Sequence, residues 1–195
     1  MNKILILFAH PIFERSRIQK ALVNAVPVSK YITFHDLYEF YPDFNVRIDI
    51  EQDLLLSHDI IIWQHPFYWY SVPPLLKQWI DLVLEFGWAY GPGGEALKGK
   101  VVFNAISSGG RQEAYTPEGR NRFEVNHFLT PLEQTARLCL MHYAPPFVIH
   151  GTHRLNEEQI KNYAYQYQSL LEQLQRKPLE FLTDFKGKYL NELIV

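Results

Sequence analysis

The apolar positions along the chain fall into a few short runs, and three of these stand out, at residues 4–9, 59–63 and 100–106. Runs of Ile, Leu and Val without alternating polar residues are typical of parallel strands that are covered on both faces. Two weaker runs, at residues 31–34 and 146–149, indicate two further strands. The pattern therefore predicts five strands.

Between these runs, apolar residues recur at the spacing of amphipathic helices. Helices are predicted after Ser16, at residues 48–57, after Pro73, after Thr130 and after Asn156. The first, which extends to about residue 26, opens on a capping-box pattern in which Gln19 follows Ser16 by three positions. The starts at Thr130 and Asn156 show the same pattern.

Strands and helices alternate along the whole chain, and no linker or repeat divides it. We therefore predict a single domain over residues 1–195 of the α/β class, with a doubly wound five-stranded parallel sheet and helices on both faces. Residues 175–195 form a C-terminal tail beyond the last predicted sheet-covering helix. The sequence leaves open whether this tail packs on its own domain or on a partner subunit.

The composition narrows the range of functions. A formal net charge of −2 argues against a nucleic-acid partner, which would require a basic surface. The single cysteine, Cys139, excludes an internal disulfide framework, and the histidines show no metal-ligand spacing. No apolar run approaches the roughly 20 residues that span a bilayer. We expect a soluble, cytoplasmic protein, with any membrane association peripheral.

Ligands of doubly wound sheets bind outside the carboxyl ends of the strands, so the loops after the three strong strands are the candidates. The first loop leads from the strand at residues 4–9 into the helix that begins after Ser16. Free amides at a helix start bind phosphate, and Ser16 and Arg17 would add a hydroxyl donor and a positive charge. Ser16 could equally be a helix cap and no more.

The second loop contains four consecutive aromatic residues, at positions 67–70. They are too crowded for all of them to point into a core, and exposing them to water is costly. A flat apolar ligand would cover some of them, which favours a ligand site here. The alternative is a mixture of core residues and a dimer surface.

The third loop, Ser107-Ser108-Gly109-Gly110, follows the strand at residues 100–106. Paired glycines allow the backbone to approach a ligand closely, and the serines add small hydrogen-bonding groups. Alone this pattern is weak. Its position beside the other two loops makes the three together a stronger indication of one site.

Several further motifs carry a family resemblance. They are His35-Asp36-Leu37-Tyr38, Tyr41-Pro42-Asp43-Phe44, Trp63-Gln64-His65-Pro66, Pro73-Pro74-Leu75-Leu76-Lys77 and Gly87-Trp88-Ala89-Tyr90-Gly91. With the three loops, they resemble the flavodoxin-like NAD(P)H:quinone oxidoreductases. Within that family they are most similar to the ancillary oxidoreductases of glutathione-regulated potassium-efflux (Kef) antiporters. The resemblance covers about residues 3–150 and implies a flavodoxin-like fold.

The resemblance also implies the chemistry. FMN would be the bound cofactor, with FAD as the alternative that other relatives use. NAD(P)H would pass a hydride to the flavin, and a quinone would then take up the two electrons in the same place. The residues that the resemblance places around the flavin are His10, Ser16, Arg17, Ile18, Gln19, Pro66, Phe67, Tyr68, Trp69, Tyr70, Ser107, Ser108, Gly109 and Gly110.

Two positions depart from the pattern of the relatives. Ser107 and Ser108 stand where many relatives have two threonines, which is a mild change. Some quinone reductases place a Tyr and then a His near the flavin; here Tyr115 matches, but Asn121 stands in the place of the His. Tyr115 is the candidate catalytic residue, as a hydrogen-bond donor to the quinone oxygen, and a purely structural hydroxyl is the alternative.

The resemblance leaves a second functional hypothesis open. The chain could be a flavin-binding regulatory subunit of a Kef-type antiporter, with oxidoreductase activity secondary. That role would bring it to the cytoplasmic face of the inner membrane as a peripheral protein. The family also implies a homodimer. A single-electron flavodoxin is disfavoured, because His10-Pro11 replaces the hydroxyl-rich phosphate loop that flavodoxins usually carry.

Overall fold

The computed structural model describes residues 1–194, which form one parallel sheet with helices on both faces. The strands are β1 (Ile4–Phe8), β2 (Ile32–Asp36), β3 (Ile60–Pro66), β4 (Val101–Ser107), β5 (His142–Tyr143) and β6 (Phe147–Ile149). They are ordered β2-β1-β3-β4-β5, with β6 also paired to β4. This order belongs to the flavodoxin-like fold that the resemblance implies.

The fifth predicted strand, at residues 146–149, is present as β6, and a further short strand that was not predicted, β5, precedes it. β5 pairs with Val101 and Val102 at the beginning of β4, whereas β6 pairs with the end of β4 along the same edge. Pro145 and Pro146 lie between the two pieces, and proline has no amide hydrogen to donate to a sheet. The two short strands therefore occupy the place of one strand.

The helices alternate with the strands as predicted. They are α1 (Arg17–Asn24), α2 (Leu37–Phe40), α3 (Ile48–Leu56), α4 (Pro74–Val83), α5 (Val125–Phe128), α6 (Thr130–Leu138), α7 (Glu157–Arg176) and α8 (Glu180–Thr183). Buried residues of α2 to α6 pack on one face of the sheet. Those of α1, α7 and α8 pack on the other. No helix within residues 1–194 combines the length and the apolar character that crossing a bilayer requires.

The three predicted capping boxes have different outcomes. The one at Asn156 is confirmed, since both reciprocal hydrogen bonds with Gln159 are present. At α1 only half is formed: Ser16 Oγ accepts the amide of Gln19 at 3.1 Å, while the Gln19 side chain turns into the core. The one at Thr130 is wrong. Residues 125–128 are already helical, so the Thr130 hydroxyl donates back to the carbonyl of Asn126.

The C-terminal tail packs on its own sheet. Leu182 and Leu190 are buried in the core layer that contains α1 and α7. The amide of Leu190 donates to the carbonyl of Pro146 at 2.9 Å, and Asn191 Oδ1 accepts the amide of Val148 at 2.9 Å. These contacts replace a neighbouring strand along the open edge of β6 and so protect that edge from pairing with other chains.

Candidate functional site

A cavity of about 450 Å³ opens at the carboxyl ends of β1, β3 and β4, where the three candidate loops meet. It is lined by His10, Ile12, Arg15, Ser16, Arg17, Ile18, Pro66, Phe67, Tyr68, Ser107, Gly109, Thr152 and His153. We call this the first cavity. It brings together nine of the residues that the resemblance places around a flavin, drawn from all three loops.

The start of α1 forms a polar part of the wall of the first cavity. The first amides of a helix have no acceptor within the helix. Ser16 Oγ accepts the amide of Gln19, and the amides of Arg17 and Ile18 remain available to a ligand. Arg15 also lines the cavity, and its side chain forms no ion pair with any residue in the range 1–194. Arg17 pairs with Glu157 at 2.8 Å in an exposed contact. Helix amides with nearby arginines suit a phosphate.

His10 contributes a neutral hydrogen-bond donor to the same wall. Its Nδ1 accepts the amide of Ile12 at 3.1 Å, so the ring hydrogen of the neutral imidazole is on Nε2. Burial lowers the pKa of His10 below its usual value, an effect that the nearby Glu14 only partly opposes. At neutral pH this residue therefore offers an N–H group without adding a charge.

The aromatic loop is a tight turn with unusual backbone angles. Tyr68 and Ser71 bridge each other across the turn, and Trp69 and Tyr70 have φ values of 47° and 64°. Bulky residues rarely adopt this left-handed region, and each such residue costs about 1 kcal/mol or more. The expectation that the four aromatic residues would not all be buried is confirmed. Phe67 is buried, whereas Trp69 is 92% exposed.

Phe67 anchors this turn in a cluster of aromatic rings. Its ring lies 6.0 Å from those of Tyr115 and Phe128, and Tyr70 stacks on Phe128 at 4.9 Å. The Tyr70 hydroxyl donates to Asn121 Oδ1 at 3.2 Å. The strained turn is therefore held by packing on residues from a later part of the chain.

A second cavity, of about 350 Å³, adjoins the first and shares Phe67, Gly109 and His153 with it. The remaining residues of its wall are Trp69, Tyr70, Ser108, Gly110, Ala114, Tyr115, Arg120 and Asn121. The wall thus contains the predicted site residues Trp69, Tyr70, Ser108, Gly110 and Tyr115. Among the predicted site residues, only Gln19 lines neither cavity.

Tyr115 is buried in the wall of the second cavity, and its hydroxyl lies 2.8 Å from Ser108 Oγ. Ser108 Oγ also accepts the amide of Gly110 at 3.2 Å. A Cβ at position 110 would lie 2.8 Å from the Tyr115 ring, so the absence of a side chain there is required for this packing. The hydroxyl of Tyr115 is therefore engaged within the protein.

A fourth loop, after β6, completes the site and was missed by the sequence analysis. The amide of Gly151 donates to the carbonyl of Gly110 at 2.9 Å, and the amide of Thr152 donates to that of Ser108 at 3.1 Å. His153 then lies over Gly109, where Nε2 is 2.9 Å from the place of an added Cβ. Ligands bind at the carboxyl ends of strands, and this rule also points to the loop after the weaker predicted strand at residues 146–149.

Gln19 lies beneath the first cavity rather than in its wall. Its side-chain amide donates to Ser107 Oγ at 2.9 Å, and its oxygen accepts from Gln64 at 2.9 Å. Gln64 in turn accepts from the hydroxyl of Tyr167 on α7 at 2.8 Å. Neither Gln64 nor Tyr167 was a predicted site residue. Gln64 belongs to one of the motifs that carry the family resemblance, whereas nothing local in the sequence links Tyr167 to the site.

Comparison with known proteins agrees with this geometry. Residues 2–171 match the protein family described as having a flavodoxin-like fold. The glutathione-regulated potassium-efflux system ancillary protein KefG of Erwinia tasmaniensis is 42% identical over 170 residues, which are 87% of this chain and 92% of that protein.

Two solved structures are also similar. General stress protein 14 of Treponema denticola, solved in complex with FMN, is 39% identical with a TM-score of 0.84, covering 88% of this chain and 99% of that one. An NADPH-quinone reductase from P. pentosaceus is 29% identical with a TM-score of 0.78, covering 94% and 99%. Together with the strand order and the cavities at the strand ends, these matches show that the chain belongs to the family with the flavodoxin-like fold.

Proposed function

We propose that this protein is an FMN-dependent NAD(P)H:quinone oxidoreductase. The observation that carries the proposal is the first cavity, whose wall combines a helix start with residues of the aromatic loop. The FMN complex of the Treponema denticola protein and the name of the P. pentosaceus enzyme support the cofactor and the reaction.

The residues present fit FMN. The amides at the start of α1, with Ser16, Arg15 and Arg17, would hold the phosphate. Pro66, Phe67 and Tyr68 offer an apolar wall for the flavin ring, and Gly109 leaves room for close approach of the backbone. His10 and Ser107 would bind polar atoms of the same group. FAD is the alternative cofactor that the first experiment below distinguishes.

Bound FMN would supply the chemistry by accepting a hydride from NAD(P)H and transferring it to a quinone. The residues of this chain bind and orient the reactants. Phe67, Gly109 and His153 are shared by the two cavities, so a planar substrate in the second cavity would lie beside the group in the first. Trp69 and Tyr70 provide aromatic surface for such a substrate, and Arg120 adds a positive charge for the phosphates of the donor.

A second candidate function follows from the similarity to KefG. The chain would act as the ancillary subunit of a Kef-type antiporter, at the cytoplasmic face of the inner membrane, with its redox activity secondary. A homodimer, which the family resemblance implies, belongs to either proposal. Light scattering of the purified protein measures that state directly.

The decisive experiment is to identify the cofactor of the purified protein by absorption spectrum and mass, and then to measure NADH and NADPH oxidation with a quinone. We expect FMN and two-electron turnover. A protein that cannot be reconstituted with either flavin would refute the proposal. Bound flavin without turnover, together with activation of potassium efflux, would favour the second candidate.

A further inference from the structure

A continuous row of hydrogen bonds leads from the wall of the first cavity into the core. It consists of Ser107, Gln19, Gln64 and Tyr167, and we call it the polar chain. Gln19 Nε2 donates to Ser107 Oγ, Gln64 Nε2 donates to Gln19 Oε1, and the Tyr167 hydroxyl donates to Gln64 Oε1, at 2.8–2.9 Å. Gln19, Gln64 and Tyr167 are fully buried, and only Ser107 reaches the cavity.

Tyr167 is the closed end of the polar chain. Its ring packs against Phe147 with centroids 5.3 Å apart, on the side of the sheet that α7 covers. Among the hydrogen bonds of residues 1–194, the Tyr167 hydroxyl takes part only in the one to Gln64. A buried hydroxyl without an acceptor is costly, so its hydrogen is committed to Gln64 Oε1.

This commitment fixes the direction of every bond in the polar chain. If one glutamine amide were reversed alone, two oxygens or two NH₂ groups would face each other. If both were reversed, Gln64 would present its NH₂ group to Tyr167, and the tyrosine hydrogen would have no acceptor. The observed direction is therefore the one that satisfies all four side chains.

We propose that Tyr167 is a positioning residue that makes Ser107 a hydrogen-bond donor to the group bound in the first cavity. Ser107 Oγ already accepts a hydrogen from Gln19, so its own hydrogen is free to be donated into the cavity. Ser107 would therefore pair with a hydrogen-bond acceptor atom of the bound cofactor. The inference rests on the proposed function, because the acceptor belongs to the flavin.

A double-mutant cycle on the apoprotein tests the proposal, with the dissociation constant of FMN measured by quenching of flavin fluorescence. Ser107→Ala removes the donor, and we expect the Kd to rise by roughly tenfold. Tyr167→Phe frees the amides to reverse and to take the serine hydrogen, so the Kd should rise by roughly two- to tenfold. The double variant should bind FMN as Ser107→Ala does, because no donor remains to be positioned.

Tyr163→Phe is the matched control, since Tyr163 lies on the same helix, is half-buried, and forms no side-chain hydrogen bond within residues 1–194. Its Kd should equal that of the wild type. The proposal is overturned if Tyr167→Phe behaves like this control, or if its effect multiplies that of Ser107→Ala. If the wild-type protein binds no FMN, the proposed function itself is refuted. If it binds FMN but the variants do not behave as expected, only the positioning role of Tyr167 is refuted.

If Tyr167→Phe does not fold, the NMR spectrum of the wild-type apoprotein decides. We expect a slowly exchanging Tyr167 hydroxyl hydrogen and a scalar coupling through the hydrogen bond from Gln64 Nε2 to the side-chain carbonyl carbon of Gln19. A coupling from Gln19 Nε2 to the side-chain carbonyl carbon of Gln64 would show the reversed direction and overturn the proposal.

Discussion

The hydroxyl of Tyr115 and Oγ of Ser108 lie 2.8 Å apart in the wall of the second cavity. Ser108 also accepts the amide of Gly110, so one serine joins the aromatic cluster to the loop after β4. The Tyr115 hydroxyl therefore has a structural role in the site. This relationship bears on the candidate catalytic role that the sequence analysis gives to Tyr115.

Tyr115→Phe should lower the stability of the apoprotein by about 1 kcal/mol, the usual value of a buried hydrogen bond. Because Ser108 engages the hydroxyl, turnover with quinone should fall by less than about tenfold. Stopped-flow absorbance separates reduction of the flavin by NAD(P)H from its reoxidation by quinone. A reoxidation step slowed by more than about 100-fold, with FMN binding unchanged, would instead establish Tyr115 as a donor to the substrate.

Gly110→Ala should destabilise the apoprotein by about 1–3 kcal/mol, because the added methyl group would overlap the buried Tyr115 ring. Gly109→Ala is the matched comparison: its methyl group would meet only the end of the exposed His153 side chain, which can move. Urea unfolding of both apoproteins measures the difference. Equal destabilisation would show that the packing of Gly110 on Tyr115 is not tight in solution.

Trp69→Asn should raise the stability of the apoprotein by roughly 0.5–1 kcal/mol, because asparagine adopts the left-handed conformation at less cost than tryptophan. Little packing is lost, since the indole is 92% exposed. The same change should raise the KM for substrates that stack on the indole. Trp69→Phe keeps both an aromatic ring and the strain, and its melting temperature should remain that of the wild type.

His150 gives the stability of the protein a pH dependence. Burial is the main cause that lowers its pKa to about 4 in the folded protein, from 6.5 in an unfolded chain. Well above pH 6.5 both states are neutral and His150 contributes nothing to the pH dependence. As the pH falls from 6.5 towards 4, the unfolded chain takes up a proton that the folded protein does not, so stability falls, by at most about 3 kcal/mol from this residue.

Urea unfolding of the apoprotein at pH 7 and pH 5 tests this prediction. His150→Phe keeps an aromatic ring beside Tyr115 and Tyr189, and it should reduce the loss of stability on acidification. His127→Phe, on α5, is the control and should leave that loss unchanged. An unaltered pH dependence in His150→Phe would show that this imidazole is not protonated on unfolding over the range.

The sequence analysis located the strands well, because residues buried on both faces leave continuous apolar runs. The same reasoning failed at Thr130, where the capping pattern gives no information on the helical turn that precedes it. The first three loops were found from helix starts, aromatic residues and paired glycines. Gly151, Thr152 and His153 carry no such local signal, and their place in the site depends on hydrogen bonds to a loop some 40 positions earlier.

The polar chain could not be predicted from the sequence either, because it joins residues that are distant along the chain. Glutamine and tyrosine side chains of this kind occur throughout protein surfaces and cores, and only the folded chain shows which of them meet. Gln64 and Tyr167 are separated by 103 positions. The resemblance predicts Gln19 as a site residue, and the structure places its side chain beneath Ser107, to which it donates a hydrogen bond.

The site is built from segments that are far apart along the chain, and this has a consequence during synthesis. The helix start at Ser16 leaves the ribosome early, whereas His153 and Tyr167 leave it only after β1 to β4 have been made. A nascent chain that ends before β6 has the first three loops but lacks both the loop of Gly151, Thr152 and His153 and the Tyr167 end of the polar chain. Cofactor loading is therefore expected to follow the synthesis of α7 rather than that of the first three loops.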